Sequence, residues 1–313
     1  MRALASPASL KTVLSAREAA AALAEGLWAG GAEAVELAVA DGGEGTLEVL
    51  GAAVGGEWRE ALVSDPLGRQ VRARWLLLPG GVAAVESAEA IGLGLVGEEE
   101  RDVMRASSRG LGELIQAALA VDPAELIVFL GGTATVDGGS GLLAVVDGIP
   151  VPARAACDVR APLVDAVRVF ARQKGATPEQ LGELERRLEK ATLEPYRDLP
   201  GAGAAGGLGA AFAALGAELV DGAPFILDLI GFRDRLREAD VVVTGEGTID
   251  RSTFMGKAPA AVLAACREAD VRCVLFGGLV VEWPEGVEVY ELSGEPKRAR
   301  EDLVGLGGRL ARE

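Results

Sequence analysis

The sequence of 313 residues contains no histidine. That absence removes Ser-His-Asp hydrolysis, Cys-His proteolysis and any histidine general base, so acid–base work falls to Asp, Glu or Lys. Cysteine is scarce too. Cys157, Cys266 and Cys273 form no CxxC pair, and without histidine the sequence argues against a zinc site. Aromatic residues make up only 4% against 50% hydrophobic residues, so the core must be built mostly from Ala, Val and Leu. Long apolar runs are missing. Ala117–Val121 and Leu126–Leu130 are among the longest, far short of a membrane span. The N-terminal segment lacks the apolar stretch of a secretory signal, and a soluble cytoplasmic protein is expected.

Positive charge is also in short supply. The formal net charge is −16 and no basic stripe is visible, which opposes binding to nucleic acid or to an anionic membrane. Among 31 basic residues only five are lysine: Lys11, Lys174, Lys190, Lys257 and Lys297. Lys174 and Lys257 each adjoin a glycine, and Lys11 follows the first strand candidate. In a chain dominated by arginine, lysines so placed suit a compact point charge.

Glycine, by contrast, is abundant, with 43 residues and no collagen period. Much of it gathers in short loops carrying acids, hydroxyls or a lysine: ADGGEGT (40–46), LGGTATVDGG (130–139), FARQKGA (170–176) and VVVTGEGTIDRSTFMGK (241–257). Such loops let the backbone approach a ligand and expose its N–H groups. Carboxylates beside those amides suit Mg²⁺ and a lysine suits phosphate. Asp41, Gly42, Gly43, Glu44 and Thr46 form the first candidate set, Gly132, Thr133 and Asp137 the second, and Gly245, Glu246, Asp250 and Lys257 the last. The pattern suggests phosphoryl transfer. The second loop is not a Walker A loop, because it lacks the Gly-Lys-Ser/Thr ending. GAGAAG (201–206) matches the letters of a dinucleotide fingerprint, but Glu194–Pro200 before it is polar with two prolines and is no strand. Gly203–Leu215 reads instead as a closely packed helix of small residues.

Strands are expected at Arg2–Ala5, Val35–Ala40, Val241–Thr244, Val274–Phe276 and Val287–Tyr290, mostly alternating with helices. That alternation indicates a parallel, doubly wound α/β sheet. Ser15 and Glu18 make a capping box that opens the first helix. Glu57–Val63 and Val71–Leu78 flank a turn at Asp65-Pro66-Leu67-Gly68, so a hairpin is expected there. Thr177-Pro178 opens a helix that runs to about Ala191. The simplest plan is a flavodoxin-like lobe made from residues 1–46 and 236–313, with a second α/β lobe, 47–235, inserted and the active site in the cleft between them.

The order and spelling of these loops resemble the bacterial type I glycerate kinase family, from about Pro7 to about Pro259. The resemblance also takes in SDPLGR (64–69), ACDV with APL (156–163), QKGA (173–176), GAGAAGGLG (201–209), and TGEG, Asp250 and GKAP (244–259). It implies the same plan of two lobes, ATP and Mg²⁺ as nucleotide and metal, and phosphorylation of D-glycerate to 2-phosphoglycerate. Lys11, Lys174 and Lys257 would meet phosphates or the glycerate carboxylate. Asp41, Glu44, Glu246 and Asp250 are the candidates for Mg²⁺ and for acid–base work, Glu246 and Asp250 foremost for the metal, and Asp158 faces substrate. Asp137 is the best candidate to orient the attacking hydroxyl, with Asp158 and Asp41 not separable from it by sequence. Three positions depart from the family pattern: Ala8 stands where the family has Asp, Val136 where it has Asn, and Ser252 where it usually has Gln. The stretch between Gly148 and Ala153 is shorter as well. These departures motivate two alternatives, a relative that binds a nucleotide or sugar acid without catalysis, and a kinase for another small hydroxy acid. A homodimer is compatible with either.

Overall fold

The computed structural model describes residues 1–158, 161–190 and 193–313. Val159 of the ACDV string, and Ala191, where the helix from Pro178 is expected to end, lie outside the described residues. The strands are β1 (Arg2–Ala5), β2 (Glu33–Glu36), β3 (Glu57–Ser64), β4 (Gln70–Leu78), β5 (Val82–Glu86), β6 (Glu125–Phe129), β7 (Ala153–Cys157), β8 (Glu218–Asp221), β9 (Val241–Ile249), β10 (Arg272–Val280) and β11 (Glu288–Glu291). They divide between two units. The first holds Met1–Asp41, Glu48–Val54 and Ala223–Glu313, and the second Gly42–Leu47 and Gly55–Gly222. Residues 42–46 therefore group with the second unit, and 48–54 and 223–235 with the first, unlike the partition expected from the sequence.

The sheet of the first unit is wholly parallel, in the order β2-β1-β9-β10-β11. Counted within this unit the order is 2-1-3-4-5, that of a flavodoxin-like fold, whose ligands bind at the carboxyl ends of the strands where the order reverses. Here the reversal lies between β1 and β9. Alternate residues of the strands face opposite sides. Ala3, Ala5, Val241, Val243, Val274 and Phe276 pack against Leu23 and Leu27 of the helix Ala16–Ala29 and against Leu303, Leu306 and Leu310 of the helix Ala299–Leu310. The small size of the strand residues lets both helices sit close. The helix Ala16–Ala29 opens on the expected box: the Glu18 amide donates to Ser15 Oγ at 3.2 Å, and the Ser15 amide donates to the Glu18 carboxylate at 2.8 Å. β2 begins and ends earlier than the expected Val35–Ala40, although the Val39 amide still donates to the Pro7 carbonyl at 3.0 Å.

The second unit has a mixed sheet in the order β3-β4-β5-β6-β7-β8, antiparallel from β3 to β5 and parallel from β5 to β8. The β3–β4 turn is fixed by Asp65, whose carboxylate accepts from the amides of Leu67 (2.8 Å) and Arg69 (2.9 Å) and from the Arg69 guanidinium (2.6 Å). Trp75, Val85, Leu111, Leu114, Val128 and Phe212 lie in one core cluster. The GAGAAGGLG stretch corrects the expectation of an unbroken helix from Gly203 to Leu215. Ala205, Gly206 and Gly207 have φ of 52°, 79° and 97°, a left-handed kink. A Cβ on Gly206 would lie 2.0 Å from the Thr135 carbonyl oxygen, so this glycine is required by close backbone packing on the loop 130–139. No helix among the described residues is long and apolar enough to cross a membrane.

Candidate active site

In the first unit the candidates gather at the carboxyl ends of β1 and β9. After β1 the chain crosses to Gly245, whose carbonyl accepts the Ala8 amide at 2.9 Å. It then turns tightly at Leu10–Leu14, placing Lys11 on an exposed turn. Gly247 lies beside this turn, since a Cβ there would be 3.7 Å from the Lys11 amide nitrogen. Glu246, 8% exposed, accepts from Lys257 Nζ on both oxygens, at 3.2 and 3.0 Å, and from Thr253 Oγ1 at 2.8 Å. Lys257 is the residue from which the helix Ala258–Ala269 starts, so its charge adds to the positive end of that helix. Two buried hydroxyls, Ser6 just after β1 and Thr244 within β9, have no hydrogen-bond partner among the described residues.

Asp250 has a different job. Its carboxylate accepts from Ser252 Oγ (2.6 Å) and from the amides of Ser252 (2.7 Å) and Thr253 (3.3 Å), capping the turn Arg251–Met255. The hydrogen bond from the Ser252 hydroxyl, with further help from the amides and from Lys257 and against a burial cost, holds Asp250 below the ordinary carboxylate range. The departure at Ser252 thus supplies a cap donor. Among the described residues no three acidic or thiol side chains gather as a metal cluster.

In the second unit the glycine loops are tied down. Thr46 Oγ1 donates to the Gly43 carbonyl at 2.7 Å, and the amides of Gly45 and Leu47 are taken by Glu86 at 3.0 and 3.2 Å. The amides expected to face a phosphate here are therefore partly occupied, while Glu44 remains exposed. Gly42 packs against the end of β7, where a Cβ would be 3.2 Å from the Ala156 carbonyl oxygen. Asp158, half-buried, follows directly. Asp41, at the edge of the first unit, is also half-buried.

The loop 130–139 is held from within. Asp137 accepts from the amides of Ser108 (2.8 Å), Gly139 (3.1 Å) and Gly141 (3.1 Å) and from Ser108 Oγ (2.8 Å), which anchors the loop to the start of the helix Arg109–Leu119. Lys174, 5% exposed, donates to Thr133 Oγ1 at 2.9 Å and to the Thr135 carbonyl at 2.8 Å. Burial pushes its ammonium down to about 7, opposed by the negative charge of Asp137. Lys174, read from sequence as a phosphate ligand, here supports the loop from beneath. Val136, 1% exposed, belongs to the apolar cluster of Leu163, Ala166 and Leu188, so the departure there fills a core position. Gly132 is exposed at the tip of the loop.

Glu86, Ser87 and Ser108 escaped the sequence reading. Each acts across a long separation in the chain. The only local signal for Glu86 is an acid ending the apolar run Val82–Val85.

The chain matches the model of the Glycerate kinase family over residues 3–149 and 148–293. It is 38% identical over 308 residues to the glycerate 2-kinase of Escherichia coli K12, covering 84% of this chain and 81% of that protein. It is 36% identical over 326 residues to a glycerate kinase of Bacillus subtilis 168, covering 90% and 85%. Its fold is similar to the crystal structure of a Salmonella typhimurium LT2 protein assigned as glycerate kinase 2, with a TM-score of 0.83 and 31% identity, covering 99% of this chain and 97% of that one.

Proposed function

Because the chain belongs to the glycerate kinase family, we propose that it transfers the γ-phosphoryl group of ATP to a hydroxyl of D-glycerate, giving 2-phosphoglycerate and ADP. The observation that carries this reading is Lys257, a cation held by Glu246, whose carboxylate also accepts from Thr253, at the start of a twelve-residue helix beside the strand reversal of a flavodoxin-like sheet. A helix start with a fixed lysine is suited to phosphate.

Phosphoryl transfer asks the protein for positioning and charge neutralisation more than for covalent chemistry. In this reading Lys257 meets the nucleotide phosphates, with Glu246 and Thr253 keeping its ammonium in place. Lys11, on its exposed turn, is available to a second anionic group, such as a phosphate or the glycerate carboxylate. The attacking hydroxyl gives its proton to a carboxylate as its oxygen bonds phosphorus and the bond to the leaving phosphate oxygen breaks. Asp137, Asp158 and Asp41 are the candidates for that carboxylate, and Asp137 is held in place by four hydrogen bonds.

Mg²⁺ takes hard oxygen ligands and is commonly held by one or two carboxylates, with substrate phosphates and water completing the shell. Glu246 and Asp250 are such donors, but each is already engaged within its own turn, and they fit an ion that arrives with the nucleotide better than a caged one. When bound there, the ion would offset phosphate charge.

Incubating the purified chain with ATP, Mg²⁺ and D-glycerate and identifying the product tests the reading. Binding of either substrate without turnover would favour a ligand-binding relative. Turnover only with another acceptor would favour a kinase for a different hydroxy acid.

A further inference from the structure

The two glycine loops of the second unit are gripped by two consecutive residues. Glu86 ends β5 and Ser87 starts the short helix Ser87–Ile91. Glu86, 4% exposed, accepts the Gly45 amide on one oxygen (3.0 Å) and the Leu47 amide on the other (3.2 Å). Ser87, fully buried, donates its hydroxyl to the Gly131 carbonyl (3.0 Å) and accepts the Gly131 amide (3.2 Å). Between the two grips the loops touch: a Cβ on Gly131 would lie 2.6 Å from Gly43 Cα. Glu86 is itself in register with Phe129, the last residue of β6. The grip is therefore built on paired strand ends, where a site can be held more precisely than on loops.

We propose that Glu86 and Ser87 are positioning residues, a clamp that sets the spacing of the loops 42–46 and 130–137 for phosphoryl transfer. This rests on the kinase reading above. Neither side chain needs to touch substrate. Both act through the backbone of loops that carry Glu44, Thr46 and Thr133. A displacement of about 1 Å in such a loop can cost on the order of 100-fold in rate.

The clamp also carries a charge. Burial raises the Glu86 carboxyl to about 7, opposed by the Gly45 and Leu47 amides and reinforced by Glu89 and Glu44. Glu44 approaches from the first loop and Glu89 from the helix after Glu86, and Glu89 is paired with Arg74 at 2.8 Å. Protonated Glu86 keeps only one oxygen as a good acceptor, so the grip on the first loop weakens at low pH.

The test compares wild type with Glu86→Gln and Ser87→Ala, each first shown by circular dichroism to be folded. Hydrogen exchange is followed in segments 42–47 and 130–137, and kcat, KM and the pH profile are measured with glycerate and ATP. Glu86→Gln is expected to speed exchange in 42–47 and Ser87→Ala in 130–137. Each should lower kcat at least tenfold, with KM for ATP changing less than threefold. Wild-type kcat should fall below an inflection near pH 7 that Glu86→Gln lacks. Unchanged exchange in both variants, or faster exchange with kcat within threefold of an active wild type, overturns the clamp. Should wild type phosphorylate no glycerate, the kinase reading fails by itself, and the exchange data still decide whether these two residues hold the loops.

Discussion

Lys257 Nζ donates to both carboxylate oxygens of Glu246, to Oε1 at 3.2 Å and to Oε2 at 3.0 Å, and Thr253 Oγ1 donates to Oε1 at 2.8 Å. The side chains of Lys257 and Glu246 are 23% and 10% exposed, so the pair is largely shielded from the solvent screening that makes surface pairs weak. A lysine so fixed does not have to be ordered when an anion arrives. Lys257→Met is expected to lower kcat/KM by roughly 100-fold or more, the scale found when one preorganised stabilising group is removed. Lys257→Arg should not restore activity, because a planar fork does not replace a point charge. Steady-state kinetics on the two variants check this.

Lys174 makes a prediction about pH and stability. Its ordinary value of 10.5 is lowered to about 7 in the fold. Between those values the unfolded chain binds a proton that the folded chain does not, so stability rises with pH across this window and the penalty is fully present below about 7. In Lys174→Met this dependence disappears, and the difference from wild type should change by on the order of a few kcal/mol between pH 7 and pH 10. Urea denaturation at several pH values measures it, and parallel curves for the two proteins would refute it.

Gly206→Ala tests the reading of the GAGAAGGLG stretch. The residue has φ of 79° and no room for a Cβ against the Thr135 carbonyl. The variant should lose more than about 1 kcal/mol in urea denaturation. A neutral result would mean that the glycine is not required by packing on the loop 130–139.

Val136→Asn restores the residue of the family pattern. At this buried position among Leu163, Ala166 and Leu188, an amide without partners should cost about 1–3 kcal/mol. It is expected to bring no gain in kcat, which thermal melts and kinetics together would show. A gain in activity would place this side chain at the substrate after all.

Much of the fold was legible because its signals are local or periodic. The Ser15–Glu18 box and the Asp65 turn are each written within a few residues, and apolar strands alternating with helices announced the parallel sheet. The site was less legible because its decisive bonds join distant residues. Gly45 and Glu86 are 41 positions apart, and Gly131 and Ser87 are 44 apart. Lys174 stands beside a glycine like a phosphate ligand, yet a contact with Thr133, 41 positions away, turns its ammonium inward. The glycines of 201–209 resemble a nucleotide loop in spelling, but two of them, Gly206 and Gly207, accommodate the chain's own backbone at 135–138.

Phosphorus NMR of the purified chain with ATP, Mg²⁺ and D-glycerate tests the central claim most directly. 2-Phosphoglycerate and ADP are expected in equal amounts. Unchanged ATP in the presence of glycerate, from protein that calorimetry shows to bind either one, would contradict it.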